Sequence, residues 1–190
     1  MAGKRSRALA RRKGRAGVTL IEIAVSISVL LVGVLGFAQT MVAIERSQLR
    51  TRDVGRATQA ARAVLERIQA EAFPEAFRRF NGDSSDDPGG AGTAPGKDFA
   101  VLGLSARRGD ADGLPGEVIF PTPTGQPGVL REDVSDSKLG MPRDLNGDGL
   151  ISPTANYATT YTLLPVRVRV QWVGPGGPGE VELRTMLGNY

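Results

Sequence analysis

The sequence predicts an α+β fold: one long N-terminal helix, apolar in its first half and amphipathic in its second, packed on a small antiparallel β-sheet. Three observations predict it. Residues Leu20–Ile44 carry a single charge, Glu22. Val54, Ala57, Ala61, Val64, Leu65, Ile68 and Ala72 recur at three- and four-residue spacing, which places them on one helical face. Val166, Val168, Val170 and Trp172 alternate with Arg167, Arg169 and Gln171, the period of a half-buried strand.

The apolar run of about 25 residues is long enough to cross a bilayer core of about 30 Å as a helix. It is preceded by Lys4, Arg5, Arg7, Arg11, Arg12, Lys13 and Arg15, with no acid among them. A secretory signal peptide fits poorly. Its apolar region runs about 7–15 residues before a small-residue cleavage site, and the stretch from Gln39 to Glu45 offers no such site. A permanent signal anchor fits the length and the basic flank, which would stay cytoplasmic. It leaves Glu22 unexplained, because a lone carboxylate in lipid is costly. It also leaves Gly17 unexplained at the border of charge and apolarity.

Arg15-Ala16-Gly17-Val18-Thr19-Leu20-Ile21-Glu22 resembles the class III signal of type IV prepilins and type II secretion pseudopilins. The resemblance implies removal of the basic leader, residues 1–17, by a prepilin peptidase that cuts after Gly17. Val18 then becomes an N-methylated N-terminus, although Phe is usual there in the family. Glu22 falls at the fifth mature position. In the family's assembly model that glutamate pairs with the N-terminal amine of a neighbouring subunit, so the partners implied are other pilins or pseudopilins and the inner membrane. The implied topology is single-pass, with a cytoplasmic N-terminus and a periplasmic domain, before transfer to a pilus or pseudopilus. A second, shorter resemblance lies in VRVRVQWVGPGGPGEVELRTML, which looks like the end of PilV-like minor pilins and of GspI-like pseudopilins.

Residues 18–45 are thus expected to be the transmembrane and assembly half of the helix, and residues 46–80 its amphipathic half. Pro74 is the first strong breaker, which predicts a helix end near Phe73, with a short further turn over residues 76–80. A β-rich domain with long Gly/Pro loops is expected over residues 81–190. Residues 81–97 are dense in Gly, Asp, Ser and Pro and predict a loop, with Asp83, Asp86 and Asp87 solvated within it. Short strands are expected at Phe99–Leu104 and Glu117–Phe120. Two longer ones are expected at Tyr157–Leu164 and Val166–Val173, separated by Pro165 at a bulge, bend or edge. Residues 174–179 form a loop, and Glu180–Leu187 returns as the partner strand of a hairpin.

Composition narrows the function. The chain of 190 residues has 24 Lys and Arg against 20 Asp and Glu. Its basicity belongs to the expected leader: without those seven cations, 17 basic side chains face 20 acids, a formal charge of −3. No basic stripe interleaved with aromatics is left for nucleic acid. Cys and His are absent, which excludes disulfides, the usual structural zinc sites, and Ser–His–Asp or Cys–His catalysis. A non-enzymatic chain with no required cofactor is expected.

One further motif carries chemistry. Asp144, Asn146 and Asp148 place oxygen donors at alternate positions, Gly149 stands sixth, and Leu150 supplies a backbone carbonyl. This matches the first half of an EF-hand-type Ca2+ loop. The twelfth position, where a bidentate Glu is expected, is Ala155, so a calcium site needs another ligand, with Asp136 and Asp133 as candidates. The alternative is a metal-free Gly/Asp/Asn turn. The functional expectation is a minor pilin taking part in type IV pilus assembly or modification. The alternatives are a minor pseudopilin of a type II secretion system and, from another class, a membrane-anchored calcium-dependent binding module.

Overall fold

The computed structural model describes residues 17–189. The expected leader, residues 1–17, falls outside them except for Gly17. Helix α1 spans Leu20–Ala70 and helix α2 spans Phe73–Phe80. A 3-10 turn covers Ser84–Asp86. Four strands follow: β1 Asp98–Phe99, β2 Gly116–Ile119, β3 Leu163–Gly174 and β4 Gly177–Gly188. They form one antiparallel sheet in the order β1-β2-β3-β4. The chain divides into two compact units at Ile44/Glu45.

The first unit is the apolar part of α1. Every described residue from Gly17 to Ile44 is exposed. The serine and threonine hydroxyls inside this part of the helix are satisfied locally. Ser26, Ser28 and Thr40 donate to the carbonyls of Glu22, Ala24 and Gly36 at 2.7–2.9 Å. A helix that is apolar on all sides and covered by nothing needs a surrounding other than water.

The second unit holds the core. Ala57, Ala61 and Ile68 of α1 are buried with Val118 of β2 and with Leu164, Val166, Val168, Val170 and Trp172 of β3. The expected alternation of β3 is present, with even-numbered positions facing α1. Within the expected helical stripe, Val54 is exposed and the neighbouring Asp53 is buried instead. Small alanines on the buried face let the helix approach the sheet closely.

α1 ends close to where Pro74 predicts. The helix stops at Ala70, and Pro74 stands in the first turn of α2. A proline costs nothing there, because the N–H it lacks has no intrahelical partner. Phe77 and Phe80 are buried. The Tyr161 hydroxyl donates to the Phe73 carbonyl and accepts the Phe77 N–H, which binds α2 to the chain before β3. Phe77 meets the Phe120 ring edge-on at 5.2 Å.

The sheet also departs from expectation. The strand expected at Phe99–Leu104 is only Asp98–Phe99, and the next chain turns through Gly103. The strand expected at Tyr157–Leu164 begins at Leu163, because Tyr157–Thr160 forms a turn closed by Thr160 N–H on the Tyr157 carbonyl. β3 runs straight through Pro165, which pairs with Met186. Odd-numbered residues of β3 direct their N–H groups toward β2; those of Gln171 and Val173 reach the carbonyls of Pro115 and Ser105. Pro165 lies beyond the last β2 pair, Ile119 with Arg167, so its missing N–H interrupts no ladder. The hairpin loop is tighter than expected: Gly174 pairs with Gly177, leaving Pro175-Gly176 at the tip.

Arg167 is the largest correction on the outer face of the sheet. Alternation places it in water, yet it is buried beneath the loop that follows β2. It pairs with Asp136 at 3.0 Å and Glu182 at 3.4 Å. Burial opposes ionisation of Glu182, but Lys138, Arg167 and Arg184 outweigh it and hold the carboxyl below its usual range. The acids of residues 81–97 likewise organise their loop: Asp83 accepts the Ser85 N–H, and the buried Asp87 accepts the Ala94 N–H.

Candidate functional site

Two groups of residues carry candidate chemistry, the start of α1 and the loop after Asp144. Gly17, Val18 and Thr19 precede the helix in extended, exposed chain. Thr19 caps it: its hydroxyl oxygen accepts the Glu22 N–H at 3.3 Å, and its carbonyl accepts the N–H groups of Glu22 and Ile23. Glu22 therefore stands in the first turn of a Thr-x-x-Glu start, where the helix dipole favours a negative charge. This gives Glu22 a local stabilising term that sequence spacing alone did not suggest. No cation of the described chain pairs with it.

The loop 144–152 is built around two carboxylates. Asp144 Oδ1 accepts the N–H groups of Asn146 and Gly147 at 3.2 and 2.7 Å, and Oδ2 accepts that of Gly149 at 2.7 Å. Asn146 Oδ1 accepts the Asp148 N–H, and Asp148 Oδ1 accepts that of Leu150. Gly147 and Gly149 take φ of +81° and +82°, a region side chains disfavour. The Gly149 N–H, with those of Gly147 and Asn146, holds the Asp144 carboxyl below its ordinary range. The sequence motif thus folds as a tight turn that gathers oxygens.

The supplementary acids expected from sequence are engaged elsewhere. Asp133 is clasped by the Arg131 guanidinium through two bonds of 2.8 and 2.7 Å. Asp136 caps the turn at Lys138 and pairs with Arg167. The acid that meets the loop is Glu132, which sequence reasoning missed. It is fully buried. Its Oε1 accepts the Leu145 N–H at 2.8 Å and its Oε2 the Ser152 N–H at 3.0 Å, bracketing the loop from inside. Nothing in Arg131-Glu132-Asp133 distinguishes Glu132 by pattern from the half-buried Arg131 and the exposed Asp133.

For calcium the donors fit in kind, being hard oxygens, and fall short in number. Asp144, Asn146, Asp148 and the Leu150 carbonyl supply four positions where the ion takes six to eight. Among the described residues no group of three or more His, Cys, Asp or Glu converges as a metal centre would.

Asp53 is the other residue that sequence reasoning missed. It is buried on α1, and its Oδ2 accepts the Gly176 N–H at 3.3 Å from the β3–β4 tip. Gly176 lies directly on the helix backbone: a Cβ there would come within 2.5 Å of Arg50 Cα. Only glycine permits that approach.

The architecture as described is pilin-like: a long N-terminal apolar helix continues into a segment packed on a four-stranded antiparallel sheet. Comparison with protein-family models, with curated proteins and with solved structures finds no match to this chain.

Proposed function

We propose that the chain is a non-enzymatic subunit of a type IV filament machine, a minor pilin that enters the inner membrane through α1 and assembles through it. The observation that carries the proposal is α1 itself. Its first part is apolar on every side and uncovered, yet it holds a carboxylate at its first turn with no cation paired to it among the described residues. A helix needed only for anchoring gains from that charge no more than a small favourable term at its own first turn. A helix that must find its register beside others gains a partner for a neighbour's amine, although burying such a pair need not be net stabilising. Cleavage after Gly17 and methylation of Val18 would create that amine.

The test is Glu22→Ala in the whole chain. Removing the charge makes the segment more apolar, so membrane levels should be unchanged. Protein recovered in sheared filaments should fall strongly. Normal incorporation would remove the role assigned to Glu22. Intact mass of the membrane-extracted protein should begin at Val18 and carry one methyl group. A chain retaining residues 1–17 beside an active prepilin peptidase would support a permanent anchor instead.

A further inference from the structure

Arg46, Arg50 and Arg52 are the first basic side chains after the apolar run of α1. All three are exposed. The ion pair on this part of the helix is made by the next arginine, Arg56, with Asp53. Among the described residues the three have no carboxylate within ion-pair distance. Their spacing wraps them around the helix: Arg46 and Arg50 are four residues apart and share a side, while Arg52 lies roughly 160° from Arg50 at about 100° per residue. At about 1.5 Å per residue, they stand roughly 3, 9 and 12 Å beyond Ile44. The headgroup layer is about 5–8 Å thick on each side of the hydrocarbon core, and long arginine stems let the guanidinium reach back toward it. The β3–β4 tip closes on the backbone of Leu49 and Arg50, so the folded head meets α1 at the same level.

We propose that Arg46, Arg50 and Arg52 form a collar that binds the phosphates of anionic lipid headgroups on the side of the membrane where the head folds. The proposal rests on α1 spanning the membrane. An acidic protein surface would satisfy the same charges, but proximity to the apolar run favours lipid. The collar has a consequence for processing. Before cleavage, seven cations flank the apolar run on the leader side. After cleavage at Gly17, Arg46 is the first basic side chain of the chain. Cationic anchoring then moves wholly to the head side, and the only charges that must cross the membrane on extraction are Glu22 and the new amine.

The test uses the whole chain in detergent with the seven leader cations replaced by glutamine, so that the collar is the basic group flanking the apolar run. Native mass spectrometry reads its retention of phosphatidylglycerol against phosphatidylcholine. The expected result is a preference for phosphatidylglycerol that falls by about fivefold for each arginine changed to glutamine, from the roughly 1 kcal/mol such a charge contributes near an anionic surface. Arg46→Lys, Arg50→Lys and Arg52→Lys together should keep most of it. Unchanged emission from Trp172 certifies the fold of each variant. No preference in the leader-neutral chain, or a preference that survives the triple glutamine variant, overturns the proposal. The assay contains no filament, so its failure leaves the role of Glu22 standing.

Discussion

Replacing Glu132 by alanine should cost the head about 3–5 kcal/mol. The carboxylate is fully buried and accepts two backbone N–H groups, Leu145 at 2.8 Å and Ser152 at 3.0 Å. Hydrogen bonds to a charged group contribute about 1.5–3 kcal/mol each, and both donors lose their acceptor together. Relief of the buried charge offsets part of this, which brings the upper end from about 6 to about 5 kcal/mol. Glu132→Gln keeps one carbonyl acceptor and turns an amide N–H toward the other donor, so about 2–3 kcal/mol is expected. Domains of this kind have only about 5–15 kcal/mol in total. The chain has a single tryptophan, Trp172, buried in the core beside α1, so urea denaturation followed by its fluorescence reports the head directly. With a urea slope of about 1–3 kcal/mol/M, the midpoint should drop by roughly 1–5 M for the alanine variant. A loss below about 1 kcal/mol for Glu132→Ala would refute the assignment of Glu132 as the residue that holds the loop.

Millimolar calcium should raise the melting temperature of the chain relative to EDTA, and Asp144→Ala and Asp148→Ala should abolish the increase; an ion at roughly 1–10 times its dissociation constant contributes about 0.4–1.4 kcal/mol. With four donor positions in the loop, affinity should lie near the weak, extracellular range of about 0.1–1 mM. Asp144 titrates below the ordinary aspartate value of 3.8, so its contribution to the loop is full above that pH and is lost as the pH falls through the lower folded value. The amide resonances of Gly147 and Gly149 should move with a midpoint below 3.8, and Asp144→Asn should remove the transition. Gly176→Ala should destabilise by about 1–3 kcal/mol, since helix backbone cannot move aside for the new methyl group. Gly55→Ala, on an open face of the same helix, should stabilise by about 1 kcal/mol in the same urea experiment.

What was legible in the sequence follows from which forces are periodic. The α1 stripe and the alternation of Val166, Val168, Val170 and Trp172 are repeated patterns; the alternation is found as expected, and the stripe holds from Ala57 to Ile68 but not at its ends, where Val54 and Ala72 are exposed and Ala72 lies beyond the helix. Pro74 marked the end of α1 to within a few residues, but that the proline would open α2 was not readable, since that depended on the aromatic pocket around Tyr161. Arg167 misled because alternation specifies a face but not what later covers it; the covering loop has no period of its own. The turn at Asp144 was readable from Asp, Asn and Gly at fixed offsets. Its inner support, Glu132, was not, since a bond spanning 13 or 20 residues leaves no mark in local spacing.

The meander order of the sheet has a consequence for biogenesis. The apolar face of α1 is complete once Ala70 is made, but its main cover, β3, begins only at Leu163. At roughly 5–20 residues per second, the growing chain would spend roughly 5–20 s with a sticky helix face and no sheet to receive it. The intervening residues contain only short strands, which cannot shield it alone. Quality control of this protein should therefore act on an exposed helix during emergence, and truncations before β3 should be degraded rather than accumulate.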